Sequence, residues 1–255
     1  MTAILRAGFT AAALCSAAIG LACGGTQQEA PAPAPVVAIE PIDPATAGAI
    51  TGAITFEGTP PAPTPINTGS DPYCEKLGPM TTETVSVGTG GALQNVFVYV
   101  KDGLGNRVFP VPTAPVVLDQ RGCRYVPHVL GLQVGQPFEI LSSDNTLHNV
   151  HAMPESNREF NKAHQEAGIR HMHVFTAKEV MIPFKCDVHR WMNAYVGVLD
   201  HPFFAVTGTN GAFELKGLPP GNYTIEAWHE KLGTQTQTVT IGEKQTSTIA
   251  FTFKA

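Results

Sequence analysis

The chain has 255 residues, with 16 lysine and arginine residues against 21 aspartate and glutamate residues and a formal net charge of −5. It has no run of basic residues, and this charge balance argues against a nucleic acid as a partner. Without its N-terminal segment, about 210 residues remain, more than the commonest size of a single domain, so two small domains are expected.

The N-terminus predicts export. Residues 1–22 carry one charge, Arg6, followed by an alanine-rich apolar run that is too short for a membrane span and is typical of a signal peptide. Cys23 stands between Ala22 and Gly24 and resembles the lipidation cysteine of bacterial lipoproteins. A plain cleaved signal and an uncleaved anchor are the alternatives. We therefore expect a periplasmic or cell-envelope protein, held at the membrane through an N-terminal lipid.

Residues 23–46 predict a tether. They are rich in proline and alanine and include the repeat Ala30-Pro31-Ala32-Pro33-Ala34-Pro35. Such sequence favours extended polyproline II conformation over packed structure. The tether would hold the folded part of the chain away from the membrane.

Beyond the tether, short apolar alternations separated by Gly, Pro, Asn and Asp predict an all-β protein built from β-sandwiches. Val96-Val98-Val100 and Tyr223-Ile225-Ala227 are examples. Residues 156–167 are the exception, because Ser156 and Glu159 form a potential capping box that predicts one short helix.

The pattern G-x-F-x-L-x-x-L-P-P-G-x-Y at residues 211–223 resembles the carboxypeptidase regulatory-like, transthyretin-like (prealbumin) fold. The resemblance implies a β-sandwich and says almost nothing about function. Residues 201–255 alone supply too few strands for a closed sandwich. Gly48-Ala49-Ile50-Thr51-Gly52-Ala53-Ile54 resembles the opening strand of the same fold.

We therefore predict a discontinuous transthyretin-like domain of residues 47–112 and 203–255, with a second module of residues 113–202 inserted into it. The alternative is an N-terminal module that includes all residues up to 200, followed by a separate C-terminal cap.

The inserted module contains a set of soft metal ligands. Cys186, His189 and Met192 lie within seven residues of one another. Thiolate, imidazole and thioether donors suit copper better than calcium or magnesium. Zinc would take nitrogen, sulfur or carboxylate donors rather than a thioether. His148 offers the second imidazole.

The spacing C-x2-H-x2-M downstream of His148-Asn149-Val150-His151 resembles the copper site of the cupredoxins, the family of amicyanin and plastocyanin. That resemblance implies a Greek-key β-sandwich with one type 1 (blue) copper ion. His148, Cys186 and His189 would be its equatorial ligands and Met192 its weak axial ligand. Arg190 stands where the resembling loop of amicyanin has proline.

Two further roles are predicted around these ligands. Val180, Ile182, Phe184 and Cys186 alternate, so on a strand they share one face and the thiol points into the sandwich. Asn149, beside His148, is expected to tie the ligand loops together, although a simple turn residue is the alternative.

The same resemblance implies a solvent-facing edge for electron transfer, made here by His189, Arg190 and Trp191. The expected partners are redox proteins, and the charge of Arg190 would steer an acidic one.

The five cysteines predict one disulfide. Cys15 leaves with the signal, Cys23 would carry lipid and Cys186 would bind copper. Cys74 and Cys123 remain, in an oxidising compartment where paired thiols tend to be bridged.

Three functions compete. The first is an electron carrier. The second is a multicopper oxidase, in which such a site is paired with a trinuclear copper cluster that needs eight histidines; with the two here that makes ten, and the chain has nine. Unless another subunit contributes histidines, we therefore do not expect an enzyme. The third is a copper-handling or adhesive surface lipoprotein, in which the metal is cargo or the transthyretin-like domain binds a partner.

Overall fold

The computed structural model describes residues 42–255. The predicted signal peptide, the lipidation cysteine Cys23 and the tether up to residue 41 lie outside the described residues. The last tether residues form a turn instead of extended chain, because the Asp43 carbonyl accepts the N–H groups of Thr46 and Ala47. Among residues 42–255, no helix is both long enough and apolar enough to cross a membrane.

The described residues are almost entirely strands and loops, which confirms the all-β prediction. In chain order the elements of the first half are β1 (Gly48–Glu57), β2 (Pro65–Ile66), helix α1 (Pro72–Lys76), β3 (Met80–Thr81), a 3-10 turn (Thr89–Gly91), β4 (Phe97–Asp102), β5 (Val116–Gln120), β6 (Tyr125–Val126), β7 (Val129–Gln133) and β8 (Pro137–Ser142). The second half contains β9 (His148–Ala152), β10 (Phe160–His164), β11 (Arg170–Val174), β12 (Glu179–Lys185), β13 (Asn193–Leu199), β14 (Phe204–Val206), β15 (Ala212–Leu218), β16 (Gly221–His229), β17 (Gly233–Ile241) and β18 (Thr246–Lys254).

The middle of the chain forms one β-sandwich, which we call the inner sandwich. Its sheets have the strand orders β10-β9-β12-β13-β7 and β11-β8-β5-β6. Apolar side chains from both sheets meet in one core, among them Leu118, Phe138, Ile140, Ile182 and Phe184. Cys186 and Met192 belong to the same core.

The chain ends form a second sandwich, which we call the outer sandwich. Its sheets have the orders β15-β1-β18 and β14-β4-β16-β17, so strands from before and after the inner sandwich alternate in both sheets. Their shared core includes Ile50, Ile54, Val98, Ile225 and Phe251. The division into an interrupted domain and an inserted one stays a prediction.

The helix predicted for residues 156–167 is wrong. Its second half is strand β10, which pairs with β9. Its first turn is held by a distant residue, because the Glu179 carboxylate accepts the N–H groups of Glu155, Ser156 and Asn157. Glu159, the expected capping partner of Ser156, pairs with His151 instead.

A bulge changes the predicted face of β12. Ile182, Phe184 and Cys186 point into the inner core as expected, but Val180 packs with Met181 in a separate cluster that includes Phe97 and Val129. The register of β12 shifts between Glu179 and Ile182, and Met181 has a φ of 63°. An extra residue in one strand reverses the side-chain alternation before it.

Candidate metal centre

The candidate centre lies at one end of the inner sandwich, where β9 begins and β12 ends. His148 is the first residue of β9, and Cys186 directly follows β12. The turn after Cys186 carries His189 and closes with two backbone bonds: Met192 N–H donates to the His189 carbonyl and Cys186 N–H to the Met192 carbonyl. This turn returns the chain into β13 and keeps the predicted ligands at one end.

The structure brings three of the four predicted ligands together. The donor atoms of His148, Cys186 and His189 all lie within 4.8 Å of one another. The Nδ1 atoms of the two imidazoles are 2.9 Å apart, and the Cys186 Sγ is 3.9 Å from the His189 Nδ1. Met192 is buried in the same apolar core as Cys186. All four residues are at most 1% exposed.

Asn149 connects the ligand segments. Its Oδ1 accepts the N–H of Asp187 at 2.7 Å and that of Val188 at 3.3 Å, so it fixes the turn between Cys186 and His189. Its Nδ2 donates to Asn161 Oδ1 and Asp187 Oδ2. Its own carbonyl accepts the buried hydroxyl of Tyr125 at 2.5 Å. The strand that carries His148 and the turn that carries His189 are therefore held by one amide.

Each imidazole has a carboxylate on its outer nitrogen. His148 Nε2 is 3.0 Å from Asp144 Oδ2, and His189 Nε2 is 3.0 Å from Asp71 Oδ2. An acceptor at Nε2 favours the tautomer with hydrogen there, which leaves the Nδ1 lone pair for a metal. Both histidines thus present Nδ1 towards the Cys186 sulfur.

The hydrogen bonds around the centre shift its acid–base equilibria. Burial would raise the pKa of Cys186, but hydrogen bonds with His148 and His189 lower the pKa to about 6. Burial would lower the pKa of His148, but Asp144 and Cys186 raise the pKa to about 9. Although burial alone would raise the pKa of Asp144, hydrogen bonds with His148 and the N–H groups of Cys123 and Gly122 lower that pKa. Sulfur and carboxylate together make the space between the ligands favourable for positive charge.

This donor set fits copper. Two imidazole nitrogens and one thiolate, with the Met192 thioether in the same buried core, are a donor set that suits copper. Two other groups of metal-binding residue types in residues 42–255 combine His189 with Asp71 and Cys74, and His148 with Asp144 and Cys123. Both include a disulfide sulfur, which is not a thiolate, so they form no separate site.

Cys74 and Cys123 form a disulfide, and Cys186 is a free thiol. The disulfide joins α1 to the turn between β5 and β6. The Cys74 sulfur lies 4.0 Å from His189 Nε2, so the bridge is part of the wall of the centre.

The expected solvent-facing edge at His189 differs from the structure. Its side chain is only 2% exposed, because Asp71 and α1 lie against Nε2. Trp191 is half-buried, with its ring centroid 4.9 Å from that of His189 and its Nε1–H donating to the Cys123 carbonyl. Arg190 is exposed, beside a surface cleft lined by Lys185, Cys186, Asp187 and Arg190.

Neither carboxylate was predicted from the sequence. Asp144 is four residues before His148, so spacing was a usable signal. Asp71 is 118 residues from His189, and no local pattern connects the two. Thr146, which also donates to Asp71, was missed for the same reason.

The family model of the carboxypeptidase regulatory-like domain matches residues 192–254. The match covers β13 to β18 and therefore begins within the inner sandwich. Among curated proteins, none matches this chain in sequence.

Several solved structures are partly similar. A purple cupredoxin from Nitrosopumilus maritimus is 22% identical over 33% of this chain and 98% of its own, with a TM-score of 0.28. A point mutant of amicyanin in the Cu(I) form is 17% identical over 40% of this chain and 97% of its own, with a TM-score of 0.31. The copper-containing nitrite reductase of Thermus scotoductus SA-01 is 20% identical over 38% of this chain but only 26% of its own, with a TM-score of 0.32.

Proposed function

We propose that the protein binds one copper ion through His148, Cys186, His189 and Met192 and carries electrons in the cell envelope. One observation carries the proposal: two imidazole nitrogens and a buried thiol converge within 4.8 Å in the inner sandwich. Bound copper would supply a one-electron redox couple at this place.

The surrounding residues suit an electron carrier. Asn149 and the two carboxylates hold the ligands in one arrangement, and burial keeps water away from them. A centre that is fixed before the metal changes charge needs little rearrangement when an electron arrives or leaves. Export is supported by the disulfide, because such bridges persist in oxidising compartments.

The third function, in which copper is cargo, requires the opposite behaviour of the bound metal. A cargo protein must release its ion, whereas a carrier keeps it through many cycles. Repeated reduction and reoxidation of the copper-loaded protein, followed by gel filtration and copper analysis, separates the two. We expect the copper content to stay at one per chain, and loss of copper after reduction would favour cargo.

We also propose that redox partners dock around Lys185, Asp187 and Arg190, since the cleft there reaches Cys186 while His189 is covered. Two of these side chains are positive, and an acidic partner would be attracted over the ~8–10 Å Debye length. Stopped-flow reduction by an acidic redox protein should slow as salt rises, and Arg190→Ala should weaken that dependence. A rate that is independent of salt in the wild-type protein would contradict this face.

A further inference from the structure

Residues 66–81, in the segment between β1 and β4, cover the metal centre. They contain α1, flanked by the paired strands β2 and β3. The N-cap of α1 is Asp71, whose Oδ1 accepts the N–H groups of Tyr73 at 2.7 Å and Cys74 at 3.2 Å. We call residues 66–81 the lid.

Asp71 uses its second oxygen on the ligand segments. Its Oδ2 accepts the Thr146 hydroxyl at 2.6 Å and lies 3.0 Å from His189 Nε2. Thr146 belongs to the loop that delivers His148. One carboxylate therefore joins the lid helix to both histidine-bearing segments, and each of its oxygens accepts two hydrogen bonds.

Two further connections fasten the lid. The Tyr73 hydroxyl lies 3.3 Å from Asp144 Oδ1, and Asp144 also accepts the N–H groups of Gly122 and Cys123. The Cys74–Cys123 disulfide ties α1 to the same turn. Both cysteines are fully buried. The lid thus contacts the outer nitrogen of His189 directly and is linked to His148 through Asp144.

We propose that this lid controls access to the metal centre, with Asp71 as the positioning residue for His189 and the disulfide as its fastening. The proposal rests on the proposed copper binding. Asp71 holds His189 with Nδ1 inward, and the lid must move before the metal can leave. Metal exchange is therefore set by the lid as well as by the ligands.

Asp71→Asn tests the positioning role. The amide has one acceptor oxygen, so it can serve either the helix N–H groups or the Thr146 and His189 donors, but not both. Glu75→Gln is the matched control, because it removes the same charge from an exposed position of α1. The double variant Cys74→Ser/Cys123→Ser unfastens the lid and keeps Asp71.

The main measurement is the rate at which a Cu(I) chelator removes copper from the reduced protein. We expect Asp71→Asn and the double variant to release copper at least ~10-fold faster than wild type, equivalent to ~1.4 kcal/mol in the barrier. Glu75→Gln should match wild type. The midpoint potential should shift in Asp71→Asn and stay unchanged in Glu75→Gln, since Asp71 is a hydrogen-bond partner of the ligand His189, whereas Glu75 is exposed on α1.

A second readout uses copper-stripped protein. The Cys186 thiol should react slowly with an aromatic disulfide reagent in wild type and faster in Asp71→Asn, because the lid shields the centre. If Asp71→Asn matches Glu75→Gln in release rate, potential and thiol reactivity, the lid proposal is wrong. If wild type takes up no copper at all, the proposed function fails instead.

Wild-type protein supplies the remaining test, in case Asp71→Asn does not fold. In the Cu(I)-loaded protein, the Nε2–H of His189 should appear in the proton NMR spectrum and exchange slowly with water, because Asp71 accepts it under the lid. Rapid exchange of that proton would overturn the proposal.

Discussion

The ligand side chains of the centre are held by polar neighbours that are themselves buried. Asn149 is only 6% exposed and accepts two backbone N–H groups of the turn between Cys186 and His189. Without its amide, those N–H groups and the buried Cys186 thiol would lose their acceptor. Leaving a buried donor unpaired costs more than the bond itself contributes.

Asn149→Ala should therefore lower the free energy of unfolding by about 1–3 kcal/mol. Chemical denaturation of the copper-free protein measures this directly. Asn161→Ala is the control, because Asn161 bonds to the same group of side chains but is exposed, and its change should stay below about 1 kcal/mol. Equal losses of unfolding free energy in the two variants would show that the buried Asn149 contributes no more to stability than the exposed Asn161.

A second residue-scale prediction concerns two buried histidines, His201 before β14 and His229 at the end of β16. Burial lowers the pKa of His201 and of His229 to about 4 each. In the unfolded chain they bind protons near pH 6.5, so the unfolded state holds more protons between about pH 6.5 and 4. Stability should therefore be full above pH 6.5 and fall across that window, by at most ~1.4 kcal/mol per pH unit for each histidine.

Denaturation of wild type and of His229→Gln at pH 7, 6 and 5 checks the histidine prediction. The variant is expected to be less stable at pH 7 but to lose less stability on acidification. An identical pH slope in both proteins would show that other groups cause the loss.

At the scale of elements, the two sandwiches contact each other over glycine residues. Phe97 of β4 lies over Gly131 of β7 and Gly197 of β13. A Cβ at Gly197 would be 2.5 Å from the Phe97 ring, and one at Gly131 would be 2.6 Å from it. Close packing here requires glycine on both inner strands, which are parallel neighbours in one sheet.

Gly197→Ala should destabilise the protein by about 1–3 kcal/mol, because the added methyl group displaces a ring that is itself fully buried. Thermal or chemical denaturation measures the loss. Gly208→Ala is the matched control: its Cβ would meet no atom within 4 Å. If the two variants are equally stable, the Phe97 contact does not limit the packing of the sandwiches.

The strands expected at Val96-Val98-Val100 and Tyr223-Ile225-Ala227 are present as β4 and β16, because strands that bury one face require that alternation. Neither error was visible in the local side-chain pattern. The capping box at Ser156 was overridden by Glu179 on another strand, and Val180 was turned away by the bulge at Met181. The proximity of Cys186 and His189 was predictable from their spacing, since the turn between them is local. The Asp71 contact required the fold of distant segments.

At the scale of the whole molecule, the outer sandwich depends on both ends of the chain. Strand β1 lies between β15 and β18, and β4 lies between β14 and β16. Removing the strands before the inner sandwich would leave β15 and β18 without their shared neighbour. We propose on this ground that residues 47–112 and 203–255 form one domain.

A fragment of residues 203–255 should accordingly show no cooperative unfolding transition by circular dichroism. A chain that joins residues 42–112 to 203–255 through a short glycine linker should show one, since the Phe109 and Phe203 rings are in contact, with centroids 5.2 Å apart. Cooperative unfolding of the short fragment alone would contradict the interrupted domain.

The visible absorption spectrum of the copper-loaded protein tests the proposed centre most directly. A Cys186 thiolate bound to oxidised copper is the source of an intense charge-transfer band, and serine provides no thiolate. We predict such a band in wild type at one copper per chain, and its complete loss in Cys186→Ser. A wild-type protein without the band, or a Cys186→Ser variant that keeps the same band, would contradict the assignment of this centre.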